Sequence, residues 1–212
     1  MKRKLLTIGM AAAMVLSLCG CWGQEQERDE VAAAKPVIYL YPEETTEVAV
    51  ELDLPGELTC TYPAYEDGWT VTAAPDGTLT DGKGQTYNYL YWEGETATQY
   101  DLSEGFCVAG ADTAAFLEEA LAQLGLTRKE ANEFIVYWLP QMEDNAYNLI
   151  TFQQEAYTES AKLTVIPEPD SVLRVFMTWK GLDAPVDIPA QTLPAFERSG
   201  FTLVEWGGTE VQ

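Results

Sequence analysis

Residues 113–140 read TAAFLEEALAQLGLTRKEANEFIVYWLP. Phe116, Leu117, Ala120, Leu121 and Leu124 recur at helical spacing and make one apolar stripe. Asp112 or Thr113 can cap the start, and Gly125 suits a left-handed stop. Thr127 and Glu130 form a capping box, in which hydroxyl and carboxylate each satisfy a free amide at the start of a second helix. Ala131, Phe134, Ile135 and Trp138 continue the stripe. Pro140 lacks an amide hydrogen and pushes Leu139 out of the α region, so the second helix is predicted to end there. Only Gly125 and Leu126 separate the two helices, which predicts an antiparallel hairpin.

On both sides of the hairpin the pattern is β. Residues 37–41 are β-branched and aromatic, and Pro42 stops them. Residues 46–54 alternate: Val48, Val50, Leu52 and Leu54 share one face, and Glu47, Ala49, Glu51 and Asp53 the other. Pro55-Gly56 turns the chain. Residues 58–62 and 69–73 follow as strands, then the turn Pro75-Asp76-Gly77. Residues 87–93, YNYLYWE, read as one aromatic strand closed by Gly94. After the hairpin, residues 148–153, 162–166, 172–180 and 201–206 are candidate strands. The expected class is α+β. A β-rich, sandwich-like N-terminal part (36–108) would be followed by a part (109–212) with the helical hairpin packed on a second antiparallel sheet.

The first twenty residues read as a targeting segment. Lys2, Arg3 and Lys4 precede an uncharged, mostly apolar run over 5–18, too short to span a bilayer as a permanent helix. Leu18-Cys19-Gly20-Cys21 resembles a lipobox, the signal read by the bacterial lipoprotein machinery. That resemblance implies cleavage after Gly20 and a diacylglycerol on the thiol of Cys21. Buried acyl chains contribute about 0.8 kcal/mol per CH₂, so the anchor would be firm. Residues 21–35 are acidic, polar and small, and read as a lipidated tether that precedes order near Pro36. The expected location is the extracytoplasmic face of a cell membrane, with the membrane as partner through the lipid.

Charge and missing residue types exclude several functions. Removing residues 1–20 takes away Lys2, Arg3 and Lys4, leaving 9 Lys and Arg against 34 Asp and Glu, a net charge of −25. Nucleic acid and anionic membrane surfaces are poor partners for such a chain. The absence of histidine removes Ser-His-Asp and Cys-His catalysis and His-ligated metals. Gly82-Lys83-Gly84 lacks the spacing of a phosphate loop. Asp76 and Asp81 do not match the EF-hand spacing and suit turns. No metal and no cofactor is expected. Cys60 and Cys107 are either a disulfide or two reduced thiols.

Two chemistries stay open. Glu93 follows Trp92 at a strand end, and Glu205 precedes Trp206. If their strands were neighbours, the two carboxylates could flank a glycosidic bond, as a histidine-free carbohydrate hydrolase requires. Alternatively, Tyr39, Tyr41, Tyr87, Tyr89 and Tyr91 alternate along two strands, with Trp92 and Trp206 close by in sequence. An exposed row of such rings stacks on a glycan or a peptide, so a non-enzymatic binding or envelope-interaction module is the preferred expectation. Tyrosines exposed on a flat face favour binding, both acids in one concave pocket favour hydrolysis, and buried tyrosines with the acids on opposite sides would leave a structural or assembly role.

Several runs carry a resemblance. They are Lys35-Pro-Val-Ile-Tyr-Leu-Tyr-Pro42, Gly68-Trp69 to Pro75-Asp76-Gly77, Tyr89-Leu-Tyr-Trp-Glu-Gly94, Phe134-Ile-Val-Tyr-Trp-Leu-Pro140, Asn148-Leu-Ile and Gly200-Phe-Thr-Leu-Val-Glu-Trp-Gly-Gly208. Together they resemble an uncharacterised family of secreted and lipoprotein-type proteins with a KPVIYLYP start and an EWGG end. The resemblance implies that 36–208 works as one unit. It implies no activity, ligand or catalytic residue.

Overall fold

A computed structural model describes residues 31–211, so the targeting segment, Cys21 and residues 22–30 of the tether lie outside the described residues. Strand β1 is Val31–Tyr41, β2 Thr46–Asp53, β3 Gly56–Tyr62, β4 Trp69–Ala73, β5 Leu79–Thr80, β6 Thr86–Tyr87, β7 Leu90–Thr96 and β8 Phe106–Ala109. Helices α1 (Thr113–Leu124) and α2 (Arg128–Met142) follow, then β9 (Tyr147–Phe152), the short α3 (Glu155–Ser160), β10 (Lys162–Ile166), β11 (Ser171–Leu182) and β12 (Thr202–Glu210). Strand residues outweigh helical ones, 44% to 20%, so the class is α+β with β dominant.

Two sheets and the hairpin make three layers. A seven-stranded sheet has the order β3-β7-β1-β12-β11-β9-β8, and a five-stranded sheet the order β10-β2-β4-β5-β6. Val48, Val50 and Leu52 of β2 and Trp69 and Val71 of β4 bury one face of the small sheet against Ile38, Leu40, Leu90, Trp92 and Leu203 of the large one. The other face of the large sheet, through Val37, Tyr39, Val175, Met177, Val204 and Trp206, packs under Leu117, Leu121, Phe134 and Trp138 of the hairpin. Each such side chain contributes about 1.5–3 kcal/mol on burial.

The second half of the expected architecture is therefore corrected. The hairpin does not rest on a separate antiparallel sheet, because its sheet is the one that holds β1, β3 and β7. Nor is that sheet wholly antiparallel: β11 and β12 run parallel, with Ser171 opposite Thr202 and Trp179 opposite Glu210. A parallel pair needs a crossover. Residues 183–201 supply it, passing the β8 edge at Cys107 and Gly105 and then the α1–α2 turn at Gly125, with Leu193 packed into the core and Phe196 against it.

Three local expectations are also corrected. Strand β1 starts at Val31, upstream of Pro36. Ala33 lies opposite Gly94 and Ala34 opposite Gly208, so the small residues that resemble a linker in composition allow close backbone pairing. The aromatic run 87–93 is split: Tyr87 ends β6 in the small sheet and Leu90 starts β7 in the large one. Helix α2 runs past Pro140 to Met142. The proline leaves the carbonyl of Val136 without its helical donor, and Val136 is 76% exposed, so water can serve instead.

The hairpin forms as its sequence dictates. Glu130 N donates to Thr127 Oγ1 and Thr127 N to Glu130 Oε2, which completes the capping box. Gly125 adopts φ 99 and closes α1 with its amide on Leu121 and Ala122 oxygens. Asp112 makes no side-chain cap, and Thr113 lies inside the helix with its hydroxyl on Ala109 O.

Candidate functional site

Residues 34–38 and 205–208 are neighbours at the centre of the large sheet. In the β1–β12 ladder Val37 lies opposite Trp206, Ile38 opposite Glu205 and Ala34 opposite Gly208. A Cβ on Gly207 would lie 3.0 Å from Pro36 Cα, so glycine makes room for the buried proline. The ladder register shifts between Ala34 and Val37 on one side of β1 and between Ala33 and Val37 on the other. At that bulge Lys35 adopts φ 58. The left-handed region is strained for a non-glycine residue, more so before proline, at about 1–3 kcal/mol.

The bulge aims Lys35 into a tyrosine cluster. Its ammonium lies 5.2 Å from the ring centre of Tyr91, 5.3 Å from that of Tyr89 and 5.7 Å from that of Tyr137. All three distances are within the range of cation–π attraction, which offsets strain of this size. Among the described residues Lys35 makes no ion pair. Burial pushes the Tyr91 phenol up, and nearby Glu93 adds to the effect. Burial and then the charge of Glu93 raise Tyr137 as well. Glu93 alternates with the inward Trp92 along β7 and so lies on the face of Tyr91, the hairpin side of the large sheet.

Tyr39 and Tyr41 continue the row inward. Their rings stack at 6.1 Å, and Tyr39 meets Tyr89 edge-on at 5.3 Å. Tyr39 donates to Glu133 Oε2 (2.6 Å) and Tyr41 to Glu130 Oε1 (2.8 Å). Both phenols are raised, by burial first and then by the glutamates. Burial would also raise Glu130, but Arg198, the Thr127 amide and Tyr41 outweigh it and hold its carboxyl below the ordinary value. Tyr39 is buried and Tyr41 partly so, which corrects the expectation of a flat exposed row along β1. Trp92 and Trp206 are buried too, in the sandwich core and under the hairpin respectively.

The expected carboxylate pair is not brought together. Glu205 is fully buried between the two sheets, where it accepts from Trp92 Nε1 (3.1 Å) and Arg174 Nε (2.6 Å). Glu93 points the opposite way from Trp92 along β7, towards the hairpin side. The large sheet separates the two acids, so they cannot flank one glycosidic bond. The disulfide alternative is excluded as well. Cys60 lies on β3 and Cys107 on β8, the two outer strands of the large sheet, and both are free. Strands about 4.8 Å apart put these edges far beyond the roughly 7 Å that a disulfide tolerates between Cα atoms.

The remaining candidates have structural roles. Asp76 accepts from Thr78 N, and Asp81 from the amides of Lys83 and Gln85 and from the Tyr87 hydroxyl, so both hold turns. Among the described residues no group of three or more His, Cys, Asp or Glu is placed to hold a metal ion. A cleft of about 240 Å³ lies beside residues 152–156 and 191–194 and contains no residue singled out from sequence.

What the fold leaves open is a shelf. Among the described residues the hairpin core includes no side chain of β3, and of the adjoining segment it takes only Tyr89 and Tyr91 at its margin. Along β3 and β7, Cys60 lies opposite Glu93 and Tyr62 opposite Tyr91, the Tyr62 ring (63% exposed) meeting Tyr87 edge-on at 5.4 Å, and Lys35 and Tyr137 lie on the inner side of Tyr91. Sequence reasoning missed Lys35, Tyr62 and Tyr137. Tyr137 precedes Trp138 of the buried helical stripe, and that offset was the available signal.

Fold and site define a β-dominated α+β domain in three layers, with an aromatic, acidic shelf at one margin of its central sheet. An uncharacterised protein encoded in the bglA 3′ region of Butyrivibrio fibrisolvens is 43% identical over 99 residues, covering 44% of this chain and 98% of that protein. The chain belongs to the family of that protein. No family model and no solved structure matches it.

Proposed function

We propose that this protein is a membrane-anchored extracytoplasmic lipoprotein, lipidated at Cys21, whose folded domain is a non-enzymatic binding module for an envelope glycan, peptide or protein. The observation that carries the binding part is the shelf itself. Tyr62 is 63% exposed, opposite Tyr91 in the β3–β7 ladder and edge-on to Tyr87, while Tyr91 and Tyr137 share the Lys35 ammonium. Rigid rings at low entropic cost, with both charges close by, are what recognition surfaces use. The anchor reading rests on the charged start, the apolar run and the Cys21 signal. The described residues are compatible with it, since none of their helices is long and apolar enough to cross a membrane.

The test is capture from envelope extracts by the chain from residue 22 onward, beside a glycan array. A reproducible ligand that is lost in Tyr62→Ser/Tyr91→Ser supports the reading, and silence on both overturns it. Fatty-acid labelling that persists in Cys21→Ser overturns the anchor.

A further inference from the structure

The shelf holds a ligand-like group of its own, and its chemistry points to what else would fit. Three ring faces converge on the Lys35 ammonium at 5.2–5.7 Å, and Glu93, two residues on from Tyr91 along β7, faces the same side of the sheet. An aromatic cage backed by a carboxylate is selective for organic cations, because the rings offer a negative face without strong hydration. The occupant is delivered by the least regular part of β1. At Lys35 the ladder register shifts towards both neighbouring strands, and the backbone stands at φ 58. An arm held by strained backbone outside the ladder is replaceable where a laddered residue is not. The surroundings favour incoming cations: residues 21–212 carry 34 acidic against 9 basic side chains, and Glu57 and Glu95 of β3 and β7 flank the shelf.

We propose that the Tyr89–Tyr91–Tyr137 cage is a recognition site for the ammonium of a lysine side chain on a basic partner segment, and that Lys35 is its built-in occupant, displaced when the partner binds. This deepens the binding-module reading and rests on it for the location of the docking face. A lysine is the fitting ligand because the cage already accommodates one. The shelf beyond it, with Tyr62 and Glu93, would receive the rest of the segment. Resident and incoming cations compete, so the free protein binds weakly and a vacated cage binds better.

The experiment uses the chain from residue 22 and Nα-acetyl-lysine methylamide as probe, followed by tyrosine fluorescence and amide chemical shifts at low salt. Nα-acetyl-norleucine methylamide serves as the uncharged control. Lys35→Ala should bind the lysine probe about tenfold more tightly than the unaltered chain. It should ignore norleucine and lose the gain when Tyr91→Ala is added. Lys35→Gly, which tolerates φ 58, should behave like Lys35→Ala and serves if that variant fails to fold. Equal affinity in folded Lys35→Gly and the unaltered chain overturns the proposal, and so does equal uptake of norleucine. Loss of envelope capture with lysine binding intact would instead refute the docking face alone.

Discussion

Nε of Arg174 lies 2.6 Å from Oε2 of Glu205, with the two side chains 8% and 0% exposed. The pair sits between the sheets, with the guanidinium 4.7 Å from the centre of the Tyr157 ring and the Trp92 indole on the other carboxylate oxygen. Burial alone would lower the guanidinium, but the carboxylate beside it keeps it raised. Glu205→Gln leaves a buried cation without its counter-ion and should cost about 3–5 kcal/mol in urea unfolding. Glu205→Leu combined with Arg174→Met should recover part of that loss, since two apolar chains need no partners while the Trp92 indole still loses its acceptor. Additive losses in the double variant would show that the pair is not coupled.

Acid should act through Glu130. Its folded pKa lies below the ordinary 4.5, because Arg198, Thr127 and Tyr41 outweigh burial. A group lowered in the folded state stabilises fully above its unfolded value and loses that contribution as pH falls through the folded one. Glu130→Gln keeps a capping-box side chain but removes the charge from Arg198. Its cost should be about 2 kcal/mol above pH 4.5, discounted because Arg198 is 26% exposed. Denaturation midpoints measured across pH should converge for variant and parent below 4.5. Parallel curves would contradict the assignment.

How much of this was legible beforehand divides by the range of the interactions. Trp69–Ala73, Lys162–Ile166 and Thr113–Leu124 have the limits that their periodicity predicts, because alternation and capping are local. The capping box at Thr127 is legible for the same reason. Sheet membership is not local. Nothing in 37–41 and 201–206 read separately tells that β1 and β12 are neighbours, although they form the centre of the fold. Val31–Ala34 look like linker because alanine carries no strand signal, and only Gly94 and Gly208 opposite them make the pairing close. The site misled for a related reason. Tyr39 and Tyr91 share an alternating pattern, but the hairpin buries the first and leaves the second half-buried at its margin.

The cysteines give a direct check on strand order. Cys60 and Cys107 lie on opposite edges of the large sheet, and the Val186 amide donates to Cys107 Sγ at 3.4 Å. Both thiols should alkylate in the purified chain from residue 22 without prior reduction, the exposed Cys60 faster than the half-buried Cys107. Cys60→Ser should change stability by less than about 0.5 kcal/mol under oxidising conditions. A parent chain that resists alkylation until reduced would require a different sheet order.

The glycines that follow Trp206 should respond in graded fashion, because each meets a different neighbour. An added Cβ at Gly208 would lie 2.6 Å from Met177 O and 2.9 Å from the Trp138 ring, with β11 on one side and α2 above. Neither can yield without moving a central strand or the hairpin core, so Gly208→Ala should cost about 2–3 kcal/mol. At Gly207 the neighbour is Pro36 at 3.0–3.1 Å, part of the strained bulge. A shift of a few tenths of an ångström is available there, and Gly207→Ala should cost about 1 kcal/mol while loosening the Lys35 bulge. Gly82 meets nothing within 4 Å, so Gly82→Ala should be neutral within about 0.5 kcal/mol. Chemical denaturation of the three variants reads the order directly. Because the two β12 glycines sit between β1 and β11, a Gly208→Ala variant as stable as Gly82→Ala would mean that β12 does not run between those strands under Trp138.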